Sequence, residues 1–155
     1  MRALMRAVRR PNQMSTSIHK TLSLAFLLVA SLYAMPQGKD PISRASLQEM
    51  FNNIAQGAHW DMSRPMLWGY FFTHSTRAPL DKAGTALTKL GYRLVNVYKA
   101  DKESANAPDV WWLHVERIEV HTVATLDARN QEFYRFARQY GLDSYDGMDV
   151  GPVPK

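Results

Sequence analysis

Two histidine–carboxylate pairs lie close together in the segment Val110 to Thr122: His114 with Glu116, and Glu119 with His121. An imidazole beside a carboxylate can ligate a metal or act as acid and base. On a β-strand, alternate residues share a face, so each pair lies on one face, and the odd spacing between the pairs puts them on opposite faces. A regular strand therefore cannot bring all four to one site, and metal sites need three or four convergent ligands. The favoured reading is two rows of hydrogen-bonded side chains. An acid–base or metal-dependent enzyme would have to draw on His114, Glu116, His121 and Asp146, and it is the least favoured of the functional readings. A second acidic cluster, Asp146 and Asp149 among Gly147 and Gly151, lacks the D-x-[DN]-x-[DN]-G spacing and the closing glutamate of a calcium loop. It reads as a glycine-kinked edge strand. No metal and no cofactor are expected.

The rest of the inventory removes other chemistries. There is no cysteine, hence no disulfide, thiol nucleophile, iron–sulfur cluster or Cys-ligated zinc. Neither G-x-x-x-x-G-K-[ST] nor G-x-G-x-x-G occurs among the eight glycines. His74 and Ser75 are neighbours in sequence only, which is no evidence for a triad. The alternating aromatics Trp68, Tyr70 and Phe72 resemble a base-stacking row, but charge argues against direct nucleic-acid binding. The net charge is +5, and Arg2, Arg6, Arg9, Arg10 and Lys20 supply all of it. Residues 36–155 carry 14 basic and 14 acidic side chains and lack the electrostatic footprint of a nucleic-acid binder. Core packing is the favoured role for the aromatic row.

The elements that position these residues follow from periodicity. The 155 residues, 46% apolar and 21% charged, suit one folded domain. Ser43 caps a helix over 44–56 whose stripe is Leu47, Met50, Phe51 and Ile54, with Gly57 closing it. Met66 to Thr73 reads as a buried strand in which Gly69 marks a close backbone approach or a bulge. A helix over 79–90 ends at Gly91, and strands follow at Tyr92 to Lys99 and Val110 to Thr122. Thr125 caps a helix over 126–140 with Leu126, Phe133, Phe136, Ala137 and Tyr140 inward, and Ser144 to Val150 is the last strand. The order β-α-β-β-α-β predicts an α+β fold: a ferredoxin-like sandwich, four antiparallel strands with two helices on one face, plus an extra N-terminal helix.

Thr21 to Gly38 is a run of 18 uncharged residues behind a basic stretch, with its apolar heart at Leu22 to Met35. It is short for a membrane span of about 20 residues and suits a signal-peptide core, with Ala34 as a cleavage position. An uncleaved anchor with its basic end inside is the close alternative. Met14 offers an alternative start that would exclude residues 1–13. The expected organisation is a signal peptide or anchor over 1–35, a linker over 36–43 and a domain over 44–155. Export to the periplasm or anchoring in the inner membrane is the expected location, with the cytoplasm as alternative. Membrane contact is expected only through this hydrophobic segment.

Three segments carry a family resemblance: Leu87-Thr88-Lys89-Leu90-Gly91-Tyr92, Leu126-Asp127-Ala128-Arg129-Asn130, and Tyr140-Gly141-Leu142-Asp143-Ser144-Tyr145-Asp146-Gly147-Met148-Asp149-Val150-Gly151. In order and spacing, the region from about Trp68 to Val153 resembles the family named for the regulator of ribonuclease activity B, the ribonuclease E inhibitor domain. The resemblance implies the same βαββαβ sandwich and a non-enzymatic, bacterial regulator that binds the scaffold part of ribonuclease E. It also marks Tyr145, Asp146, Gly147, Met148 and Asp149 as the first partner-binding surface to test. The alternative is an exported or membrane-anchored binding domain that uses this fold for an envelope partner.

Overall fold

The computed structural model describes residues 41–102 and 104–154, so the leader and most of the linker lie outside the described residues. Among the described residues, no helix is long and apolar enough to cross a membrane. The architecture is α+β, with three helices and one four-stranded sheet.

Helix α1 (Arg44–Asn53) starts where the Ser43 hydroxyl accepts the Ser46 N–H at 3.1 Å. It buries Leu47 and packs Met50 and Phe51 against the core. It does not stop at Gly57. A widened helical turn over Ile54–Ala58 carries the chain on, and the left-handed residue is His59 (φ 55°), whose N–H reaches Ile54 O at 3.0 Å. The i→i−5 closure delays the end by two residues.

Strand β1 (Met66–His74) leads into α2 (Arg77–Lys89), then β2 (Arg93–Lys99) and β3 (Trp111–Glu119). Leu80, Ala83, Gly84 and Leu87 form the buried stripe of α2. Gly84 lets this helix sit close on the sheet: a Cβ there would stand 3.2 Å from Leu113 Cδ1. Strand β3 is shorter than its β-rich composition implies, because residues 120–122 already turn into the cap of α3 (Val123–Gln139). The cap is Thr122, not Thr125. Thr125 is the third helical residue and completes a reciprocal capping box, its hydroxyl accepting the Thr122 N–H at 2.9 Å. Leu126, Phe133 and Ala137 face inward, while Phe136 and Tyr140 are only half-buried at its margin. After Gly141 (φ 63°) the chain closes with β4 (Ser144–Gly151).

The strands are ordered β2-β3-β1-β4, all neighbours antiparallel. Trp68, Tyr70 and Phe72 of β1, with Leu113 and Val115 of β3, are fully buried beneath the helices. Phe133 of α3 lies at their centre, with ring centroids 4.7 Å from Tyr70, 5.3 Å from Phe72 and 5.2 Å from Tyr145. Each such ring adds about 0.5–1.5 kcal/mol per pair beyond its burial. The aromatic row Trp68, Tyr70 and Phe72 is part of the core.

Truncating Leu113 to alanine opens a void between Gly84 and Phe72. It is expected to lower stability by about 2–5 kcal/mol, seen as a lower urea midpoint with an unchanged slope.

Candidate functional site

The two histidine–carboxylate pairs fall on opposite faces of the sheet. Glu119 and His121 lie on the helix side. His121 is 5% exposed; its Nε2 is 3.1 Å from Glu119 Oε2 and 3.2 Å from the Tyr70 hydroxyl, and its Nδ1 is 3.1 Å from Thr125 Oγ1. Glu119 Oε1 accepts from Arg129 Nη1 at 2.7 Å, and Arg117 Nε is 3.4 Å away. Arg129 Nη1 also donates to the Tyr92 hydroxyl. Burial opposes the charge on Glu119, but the hydrogen bond from His121 and the Arg129 charge hold its carboxyl below the usual range. The group braces β3 to α3 and β1 from within.

The other face has no helix on it among the described residues. Strand register sets its side chains in rows. One row runs Asp149, Gly69, Glu116, Arg93; the next runs Gly147, Phe71, His114, Asn96; a third ends in Trp112 and Tyr98. Phe71 and His114 stack at 4.4 Å, and Trp112 meets Phe71 edge-on at 6.2 Å. Arg93 is paired with Glu116. His114 Nε2 lies 3.5 Å from Glu116 Oε1 and has no hydrogen-bond partner. Gly69 makes this arrangement possible. The Asp149 carboxylate folds over it to accept its N–H at 3.1 Å. A Cβ there would be 2.2 Å from Asp149 Oδ1 and 2.8 Å from His114 Nε2. The glycine is thus a close approach by side chains, while the bulge in this part of the sheet lies elsewhere, between Phe71 and Phe72 on the β4 side.

That bulge falls on the segment singled out in the sequence and divides it. Tyr145 is 2% exposed, and its hydroxyl donates to Asn130 Oδ1 at 2.8 Å. Burial pushes that hydroxyl well above the usual tyrosine range, so it remains a donor. Gly147 is buried at φ 118°, 3.4 Å from Ile42 Cδ1 at the position a Cβ would take. Met148 is half-buried, its sulfur 3.8 Å from the Tyr145 hydroxyl. Asp146 is half-buried and Asp149 exposed. The five residues are therefore contiguous in sequence only: Tyr145 and Met148 face the core, and Asp149 belongs to the helix-free face.

Sequence reasoning did not single out Asn130, which is fully buried. Its place on the stripe Leu126, Asn130, Phe133, Ala137 was the available signal, since a polar residue there needs an internal partner. It also missed the latch by which Ile42 N–H donates to the Tyr134 hydroxyl at 2.7 Å. Among the described residues, no group of three or more His, Asp or Glu is placed to hold a metal ion. Two surface hollows, of about 460 and 250 Å³, are lined by α1 with Trp60 and by α2 with α3; neither contains a histidine–carboxylate pair.

Two predictions follow from these contacts. Gly69→Ala is expected to keep the fold, because the obstructing atoms are tips of side chains that can swing. It should break the Asp149–Gly69 bond and separate His114 from Phe71, which would be seen as large shifts of the His114 ring resonances. The depressed Glu119 carboxyl contributes stability that is present above the ordinary carboxylate pKa of about 4.3 and is lost as pH falls through its lower folded value. Glu119→Gln should flatten the acid limb of a stability-versus-pH curve.

The search of curated proteins finds no match to the sequence. The family model described as regulator of ribonuclease activity B matches residues 44–150, from the first residue of α1 to the penultimate residue of β4. Because the match takes in every helix and strand described above, the chain belongs to the regulator of ribonuclease activity B family.

Proposed function

We propose that the domain is a non-enzymatic, protein-binding regulator of RNA degradation that acts on ribonuclease E by binding its scaffold part. The observation that carries this reading is the family match over the whole folded domain. The geometry supports it in two ways. One histidine–carboxylate pair is consumed in an internal brace and the other lies on an open sheet face, an arrangement suited to contact rather than turnover. The element order and the sheet order β2-β3-β1-β4 also support the ferredoxin-like sandwich implied by the resemblance. Within the segment Tyr145–Asp149, Asp149 and the accessible part of Asp146 are the contact residues of this proposal; Tyr145, Gly147 and Met148 shape the strand that carries them.

A second reading rests on Thr21 to Gly38 and the basic residues before it. Export or anchoring would remove the domain from a cytoplasmic ribonuclease, and the partner would then be an envelope protein.

A compartment-dependent reporter fused after Lys155, on chains starting at Met1 and at Met14, separates the two readings. Cytoplasmic signal, together with capture of the ribonuclease E scaffold and slowed RNA cleavage in its presence, is the result that the regulatory reading requires. Reporter activity beyond the inner membrane, or no complex with the scaffold, overturns the regulatory reading.

A further inference from the structure

The helix-free face combines three features. Its rings, Phe71, Trp112 and Tyr98, stand in neighbouring positions across β1, β3 and β2, with Trp112 edge-on to Phe71. Its ionised groups are two carboxylates, Asp149 and Glu116, against one guanidinium, Arg93, within a domain that is otherwise balanced in charge. Gly69 leaves room for the Asp149 carboxylate to lie over the sheet beside His114, which fixes that carboxylate on this face.

The molecule already shows what such a surface holds. Arg93 lies against Glu116 on this face. Elsewhere, Arg77 lies 5.8 Å over the Trp111 ring and Arg117 5.1 Å over Tyr92. A guanidinium stacks on an aromatic plane and forks onto a carboxylate at the same time, which an ammonium does less well. The rows of the face are two residues apart along each strand, about 7 Å. Alternate side chains of an extended segment lying along the strands have the same spacing. One of its side chains would meet the carboxylate row, the next but one the Phe71–His114 row, and the fourth along from the first Trp112 and Tyr98.

From this we infer that the helix-free face is the docking surface for the partner, and that its occupant is an extended, arginine-bearing protein segment held by Asp149 and Glu116 and stacked on Trp112 and Tyr98. The inference rests on the protein-binding reading and names the surface and the partner chemistry for it. A single-stranded nucleic acid would also find rings to stack on, but its phosphates would meet Asp149 and Glu116 instead of a basic groove.

The test uses the full chain and four probes: an eight-residue peptide alternating arginine with valine, its lysine and citrulline counterparts, and a single-stranded oligouridylate. Amide resonances report the site of contact. The arginine peptide is expected to shift Phe71, His114 and Asp149, and the citrulline peptide to bind at least about tenfold more weakly. Asp149→Asn keeps an acceptor for the Gly69 N–H and removes only the charge, and Tyr98→Leu keeps apolar area and removes the ring. Each should weaken the arginine peptide about three- to tenfold without a change in melting temperature. Equal binding of the citrulline peptide, tighter binding of the oligouridylate, or shifts confined to the helix side would overturn the inference. The same two variants are then offered the ribonuclease E scaffold. Scaffold binding that is unaffected by both sinks the docking surface and leaves the regulatory reading standing. Arginine-peptide binding without any scaffold binding does the reverse.

Discussion

The structure depends on the double role of β1. It is paired on both sides, so its backbone is satisfied only if β3 and β4 both stay in register, and its two faces have opposite requirements. On one side Trp68, Tyr70 and Phe72 must be dry, and the helices exist in their present positions because they cover those rings. On the other side Leu67, Gly69 and Phe71 belong to the helix-free face, where the Asp149 carboxylate lies over Gly69 and His114 stacks on Phe71. A one-residue slip would exchange the two sets, bury the space above Gly69 and expose three large aromatics. The fully buried row makes that slip costly, and so it also fixes the layout of the helix-free face.

Two kinds of contact hold α3 to this sheet. Phe133 supplies the apolar one, touching rings from β1, β4 and the chain before β2. The Glu119, His121 and Arg129 group supplies the polar one, at the opposite end of the strand from the β4 turn. A buried polar group is tolerated when its members satisfy one another, and each of these three has a partner within the group. Asn130 and Tyr145 repeat the device on a smaller scale. The conspicuous tyrosine of the last strand is therefore a fastener between α3 and β4, and the surface chemistry of that strand passes to its neighbour Asp149.

Regulation by contact requires a rigid surface rather than a reactive centre. The stacked Phe71 and His114, the paired Arg93 and Glu116, and Asp149 folded over Gly69 each restrict a side chain before any partner arrives. Preorganisation of this kind lowers the ordering cost of binding. It also explains why the face tolerates a half-buried histidine: the ring contributes a plane beside Phe71.

Much of the architecture was legible from residue order. Apolar spacing placed all three helices and four strands, and the strand period alone separated the two histidine–carboxylate pairs, because alternation across a strand is a local property. The family relationship was also readable there, since three short segments kept their order and spacing. Helix ends were less legible. Gly57 and Thr125 both looked like caps, but the caps are His59 and Thr122, because hydrogen-bond closure and not residue type decides where a helix stops. The candidate surface was the least legible. Tyr145 to Asp149 reads as one motif, yet a bulge turns part of it inward, and the groups that accompany Asp149 come from β1, β2 and β3. Sequence by itself determined which residues are strand and helix and which family they belong to. Only the tertiary structure decided which side of the sheet carries no helix among the described residues, since that depends on where helices distant in sequence come to rest against the rings of β1.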